Sequence, residues 1–427
     1  MRGILKRFYF SGGIAQQIID YFRTRILGLG GITEATTCAE GTLNAINNAN
    51  LLQQATFVMA ASGYKSGVIY PQVPNSNSNG DLTFTRSSTA TRVNSSGQIE
   101  SVASGVPSLD YSQGTCPTFL FEPQRTNNVR NSECVGASTS PSTAPTYWNL
   151  PSGSGVTSTV VGAGTLSDGA KYVDLRIQRS GTGNTFIDVY CDSGLTPAVL
   201  GNIVNVSAML SLVGGSLSGV SSLNFQTNEY DVDTLYLATL IGQNLTLTST
   251  HTSFNTSFTI TNGARPTAKI YAHKFTFSLT STTAPIDLTI RVSKPMCETA
   301  PSNKTSYPTS YIPTTGATAT RTASSFTRNN VYTNGLISAS GGTWFVELNN
   351  NLSIKGAISS SIYGLYIGDS SSAPSNAISI QNDNTTNRIK IATIASGTPT
   401  NRYTTSAASV KLAIVFNGST LSVFENG

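Results

Sequence analysis

The chain has 427 residues, of which 38% are hydrophobic and only 11% charged, with a formal net charge of +5. This much apolar material with so little charge excludes a disordered chain, and the shortage of Lys and Glu excludes a helical bundle or coiled coil over most of the length. Ser, Thr, Asn and 38 Gly stand where charges would, a composition suited to strands and tight turns.

Residues 1–63 carry the helical signals. Arg2, Lys6, Arg7, Arg23 and Arg25 face only Asp20, so most of the positive charge sits in the first 25 residues. The rest of the chain offers no basic face for nucleic acid. Ile14, Ile18, Phe22 and Ile26 recur every four residues and predict an amphipathic helix that Gly28, Gly30 and Gly31 stop. Thr37 three residues before Glu40 fits a capping box. Leu43, Ile46, Asn50, Gln53 and Phe57 then alternate by three and four, an a/d spacing with two polar layers. Polar a/d layers fix register and strand number, so these five residues are the candidate oligomerisation seam of a homotrimer. No apolar run approaches the roughly 20 residues of a membrane span, and no signal peptide is visible.

Residues 64–131 read as an extended β connector. Pro71, Pro74 and the run from Asn75 to Gly80 mark turns, and Asn94-Ser-Ser-Gly97 predicts a hairpin into Ile99. Residues 132–315 show period-two alternation, the mark of a half-buried strand. Ile286, Leu288, Ile290 and Val292 form one face of a strand, as do Val173, Leu175 and Ile177, and Tyr271, His273, Phe275, Phe277 and Leu279. Such strands separated by Gly, Ser and Asn turns predict an antiparallel sandwich or jelly roll. Residues 322–427 give further strands at Trp344, Val346 and Leu348 and at Val410, Leu412, Ile414 and Phe416, with Asn417-Gly418 turning into Leu421. The turn signal at Glu425-Asn426-Gly427 leads us to expect an incomplete sandwich that needs further strands. The fold expected is mostly β: a short helical N-terminal assembly region followed by antiparallel β-sandwich (jelly-roll) modules.

Two segments resemble a known protein family. Phe84 to Glu100 (FTRSSTATRVNSSGQIE), followed by Val106-Pro107, Leu109-Asp110-Tyr111 and Phe119 to Asn127 (FLFEPQRTN), resembles a block common in tail-fibre and head-fibre proteins of tailed bacteriophages. Thr305 to Thr315 (TSYPTSYIPTT) with Thr320-Arg321 resembles the exit of the module that follows that block. The resemblance implies a carbohydrate-binding-like jelly roll between the two segments and the start of a concanavalin-like (laminin-G type) sandwich after them. Composition and N-terminus are similar to those of crAss-like phages. What the resemblance implies is a virion structural protein, docked in the particle by its N-terminus and attaching to host surface glycan, on either tail or head. The resemblance also implies assembly in the bacterial cytoplasm and display on the extracellular virion.

Catalytic motifs are missing. There is no G-x-S-x-G elbow, Walker A loop, H-E-x-x-H or zinc spacing, and only two His, His251 and His273, are present. A glycosidase needs two carboxylates flanking one bond, and the 21 acidic residues are scattered. A depolymerising tailspike is therefore the alternative, and a non-enzymatic protein the expectation. Five widely spaced Cys read as free thiols rather than a disulfide framework. Asp231 and Asp233 beside Asn228 and Glu229 offer alternating oxygens for Ca²⁺. Tyr147, Trp148 and Tyr230 lie near turn signals and are the candidate glycan-stacking rings; Phe225 is a weaker one.

Overall fold

The computed structural model describes residues 64–65, 68–69, 83–114, 117–153, 155–261, 267–300, 308–330, 338, 341–349, 365–368, 376–383, 388–406, 409–417 and 420–426. The helical pattern of residues 1–63, with Leu43, Ile46, Asn50, Gln53 and Phe57, lies outside them, as do Cys38 and Cys116. All regular structure among the described residues is strand, and every ladder is antiparallel. The chain divides into two compact units. One is Gln124–Thr322; the other combines the chain up to Pro123 with the chain from Ala323.

The Gln124–Thr322 unit is a two-sheet sandwich. Its strands are β1 (Arg125–Asn127), β2 (Val156–Thr165), β3 (Lys171–Arg179), β4 (Phe186–Pro197), β5 (Ile203–Ser216), β6 (Val220–Tyr230), β7 (Tyr236–Asn244), β8 (Thr252–Thr259), β9 (Lys269–Leu279), β10 (Ile286–Ala300) and β11 (Ala319–Arg321). One sheet runs β2-β3-β10-β5-β8, with β1 added beside β10 and β11 beside β1; the other runs β4-β9-β6-β7. From β3 to β10 the chain switches sheets at every connection except the β6–β7 hairpin, as in a jelly roll.

The apolar positions seen in sequence meet between the sheets. Val173, Leu175 and Ile177 of β3 and Leu288, Ile290 and Val292 of β10 are buried together with Val189, Phe225, Phe275 and Phe277 of the opposite sheet. Each such side chain contributes about 1.5–3 kcal/mol by leaving water. The alternation on β9 is not continuous, however. Register with both neighbours shifts between Ile270 and Lys274, so His273, Phe275, Phe277 and Leu279 face the core. Tyr271, one residue after the buried Ile270, instead takes the opposite face. Cys134, Cys191 and Cys297 are buried free thiols.

The two segments that carry the phage-fibre resemblance close this unit. Arg125 pairs with Arg321, Thr126 with Thr320 and Asn127 with Ala319. The buried Asn127 amide donates to the Ile312 carbonyl (2.9 Å), and its oxygen accepts from Val129 and Cys297 N–H (both 3.1 Å). Thr314 Oγ1 donates to the Val129 carbonyl, and Tyr311 OH donates to Glu133 (2.6 Å). Entry and exit strands are thus fastened side by side.

In the other unit, Thr83–Thr85 pairs with Ser325–Thr327, which stacks Phe84 on Phe326 at 4.7 Å between ring centroids. The hairpin at Asn94 forms between Ala90–Val93 and Ile99–Val102, with Asn94 Oδ1 accepting from Ser96 and Gln98 N–H. Buried Arg86 braces it, donating to the Ala103 carbonyl (2.8 Å) and Ser108 Oγ (3.2 Å). Trp344, Val346 and Leu348 pair with Ile414, Leu412 and Val410 as their spacing implies. A four-stranded sheet runs from Leu365–Gly368 through Ala377–Asp383 and Arg388–Ala395 to Thr398–Thr404. Its Ile380, Ile389 and Ile391 share one core with Trp344, Leu412 and Phe119. The stretch read as a connector therefore packs into the core of the C-terminal strands.

Candidate functional site

The face of the β4-β9-β6-β7 sheet turned away from the core carries a stripe of four tyrosines, one from each strand. Tyr190 (β4), Tyr271 (β9), Tyr230 (β6) and Tyr236 (β7) touch in that order, with centroid separations of 5.0, 5.5 and 6.1 Å. Adjacent rings meet at 62°, 88° and 73°, the edge-to-face arrangement that aromatic quadrupoles favour. The two local causes are the register slip on β9, which turns Tyr271 outward, and the tight β6–β7 turn, which brings Tyr236 back beside Tyr230.

A polar clasp runs along the stripe. Lys274 Nζ lies 3.4 Å from both Asp188 Oδ2 and Asn228 Oδ1, and 5.8 Å from the Tyr190 centroid. Asp188 also accepts from Thr276 Oγ1 (2.6 Å) and Tyr190 OH (3.3 Å). Asn228 Nδ2 donates to Tyr230 OH (3.4 Å), its Oδ1 accepts from Thr239 Oγ1 (3.1 Å), and Thr239 Oγ1 lies 3.0 Å from Tyr236 OH. Burial, reinforced by the Asp188 charge, pushes the Tyr190 phenol well above its usual range. Burial and the Tyr230 hydrogen bond push Tyr271 up to about 12. Both phenols keep their protons at neutral pH and remain donors. Half-buried rings with convergent hydroxyl, amide, carboxylate and ammonium groups can stack on an apolar ring face while bonding its polar edge.

Of the rings singled out in sequence, only Tyr230 belongs to this stripe. Trp148 is a core residue, 7% exposed, its Nε1 donating to the Asn131 carbonyl (3.0 Å). Phe225 is likewise wholly buried. Tyr147 is exposed, in a left-handed backbone conformation (φ 69°), and its ring stacks on the Arg130 guanidinium at 4.0 Å. Arg130 forms a fork with the buried Asp192 carboxylate (3.0 and 2.6 Å). Asn149 bridges to Tyr190 at the β4 edge, so this cluster adjoins the stripe. Asp231 does not sit with Asp233 as a cation cradle: it is buried and accepts from Leu235 N–H (2.8 Å), closing the turn, while Asp233 points to solvent. Among the described residues no group of three or more His, Cys, Asp or Glu is placed to hold a metal ion, and none forms a helix long and apolar enough to cross a membrane. Tyr190, Tyr271 and Lys274 were missed because each lies within a strand with no turn signal beside it; Tyr236 opens β7 directly after the turn that Asp231 closes and was not singled out.

No protein-family model matches the chain, and no curated protein matches it. Solved structures do. A CBM22-1 xylan-binding domain from Paenibacillus barcinonensis Xyn10C matches at 12% identity and a TM-score of 0.26, over 41% of this chain and 92% of that one. A carbohydrate-binding module of the beta-sandwich superfamily matches at 14% identity and a TM-score of 0.29, over 47% and 77%. The enzymatically active domain of tailspike protein 4 of bacteriophage CBA120 matches at 10% identity and a TM-score of 0.24, over 41% of this chain and 21% of that one.

Proposed function

We propose that the chain is a virion structural protein, a phage tail fibre or spike whose sandwich attaches to host surface glycan through the tyrosine stripe. The observation that carries the glycan part is the stripe itself: four adjoining rings across all four strands, with Lys274, Asp188 and Asn228 held among them. The fibre part rests on the two sequence blocks, whose residues build the seam of the sandwich and the aromatic core of the other unit. N-terminal docking on other virion proteins, trimerisation through residues 43–57 and location on the virion belong to the same proposal. A head fibre is the variant reading. Adhesion is favoured over cleavage because Asp188, the carboxylate within the stripe, is committed to Lys274 and Thr276, whereas glycosidases use a facing pair.

The test is affinity electrophoresis of the intact protein through gels containing host envelope polysaccharide. Retardation that Tyr271→Ala abolishes, without shortening of the polysaccharide, is the expected outcome. Shortening would establish the tailspike-enzyme reading instead, and retardation unchanged in Tyr271→Ala would remove the site.

A further inference from the structure

The face around the stripe also constrains what kind of sugar it takes. Three cations border it, and each is already engaged. Arg130 is forked onto Asp192, Lys274 lies between Asp188 and Asn228, and Lys269 Nζ donates to the Val232 carbonyl and Thr234 Oγ1 (both 3.2 Å). Two of the three carry their counter-charge beside them, Asp192 against Arg130 and Asp188 against Lys274. An acidic sugar would therefore approach cations whose charge is already balanced and would meet the Asp188 carboxylate as it did so. Charge-assisted recognition of a carboxylate gains most from a cation whose charge is not already balanced, and like-charge juxtaposition opposes binding.

The flanks of the stripe are aliphatic. Leu195 stands across from Tyr271 on β4 and is 38% exposed. On β7, Ile241 stands opposite Gln226, two positions along from Thr239, and is 63% exposed. Bare hydroxyls laid on these side chains would lose water and gain no hydrogen bond, whereas a methyl group laid there gains from leaving water.

Resting on the glycan-binding reading above, we infer that the sugar bound across the stripe is uncharged and carries methyl groups, as 6-deoxy or acetamido substituents. Leu195 and Ile241 receive the methyl groups, and the tyrosines stack on the ring faces.

Calorimetry of the intact protein with matched probes tests this. Cellohexaose and chitohexaose share a backbone and differ in the acetamido group; a rhamnose oligomer supplies the 6-deoxy source. A hyaluronan hexasaccharide and its carboxyl-reduced derivative differ in charge. Chitohexaose or the rhamnose oligomer should bind at least tenfold tighter than cellohexaose, equivalent to about 1.4 kcal/mol, and whichever wins identifies the methyl source. Ile241→Thr should erase that preference, and carboxyl reduction should strengthen hyaluronan binding. Equal or tighter binding of cellohexaose, tighter binding of unreduced hyaluronan, or binding of host polysaccharide with none of the probes would overturn this inference and leave the glycan reading standing. Failure to bind host polysaccharide and every probe would overturn both.

Discussion

Acid should loosen the sandwich through one residue, His273. Its ring is fully buried on β9 and reaches across the core, Nε2 lying 3.0 Å from the Ser207 carbonyl oxygen on β5 of the opposite sheet. The Nε2–H donor therefore ties the two sheets together, while Nδ1 has no hydrogen-bond partner among the described residues. The ring also meets Phe225 edge-on at 5.4 Å. Burial lowers its pKa to about 4, against the smaller opposing effects of the Ser207 bond and the Asp192 charge. A histidine held neutral in the fold contributes stability that is complete above its ordinary pKa of 6.5 and is lost as pH falls toward 4, because the unfolded chain takes up the proton first. At 1.36 kcal/mol per unit the loss is about 3 kcal/mol.

Urea unfolding between pH 7 and pH 4 measures this. The protein has two Trp, one in each unit, so Trp344→Phe leaves Trp148 as a reporter of the sandwich alone. His273→Gln retains a donor for Ser207 and cannot titrate. The pH-dependent loss should be smaller by about 3 kcal/mol in the variant. His251, whose pKa burial also lowers, titrates in both proteins and cancels in the difference. In the unaltered protein the ring protons of His273 should shift by NMR only below about pH 5, given the value of about 4. Parallel stability curves, or a His273 resonance titrating near 6.5, would refute the reasoning.

Three further outcomes follow from the geometry. Asn127→Ala strands the Val129 and Cys297 N–H groups and the Ile312 carbonyl at the seam, and should cost about 2–4 kcal/mol in the same Trp148 assay. Gly194→Val would bring a Cβ to 2.5 Å from Arg130 Nη2 and 2.9 Å from Asp192 Oδ1, and should destabilise by about 1–3 kcal/mol while raising the protease sensitivity of the β4 edge. Joining Pro123 directly to Ala323 should leave Trp344 with native, buried emission, since Phe119, Phe84 and Phe326 all remain with it; a solvent-exposed Trp344 spectrum would count against two separable units.

How much of this was legible beforehand depended on whether a strand kept its register. β3 and the Ile286–Val292 half of β10 alternate without interruption, and their buried faces are the ones the sequence pattern marks. β9 looks as regular from Tyr271 to Leu279, yet relative to β6 it holds one extra residue between Ile270 and Lys274, and Tyr271 takes the other face. Slipping by one reverses every side chain beyond it, and period-two counting does not reveal a slip inside the run Ile270-Tyr271-Ala272-His273, where either register puts an apolar or aromatic residue inward. Trp148 was misplaced for a related reason. Turn signals surround it, but its indole N–H finds the Asn131 carbonyl inside the core, which lets a polar-tipped ring be buried in a loop. The segment from Thr83 to Pro123 looked like a linker because it is short-stranded and turn-rich. Only tertiary pairing with Ser325–Thr327 reveals that its phenylalanines belong to the C-terminal core.

The most recognisable residues and the candidate binding residues are consequently different sets. The FLFEPQRTN and TSYIPTT blocks are conspicuous because buried polar groups demand particular partners. Asn127 must answer three backbone groups, Thr314 must reach both Val129 and Ser132, and Tyr311 must satisfy Glu133, so few other residues fit. The tyrosine stripe is under no such demand. Its rings lie on the sheet face turned away from the core, where Tyr and Thr are ordinary strand residues. A seam that fixes where the module starts and stops, on a sheet whose outer face is free to vary, is the arrangement expected of a scaffold that keeps its fold while its binding preference changes. On the proposed reading, the seam fixes where the sandwich starts and stops, and the identity of the proposed ligand would be read from Tyr190, Tyr230, Tyr236, Tyr271 and the side chains that flank them.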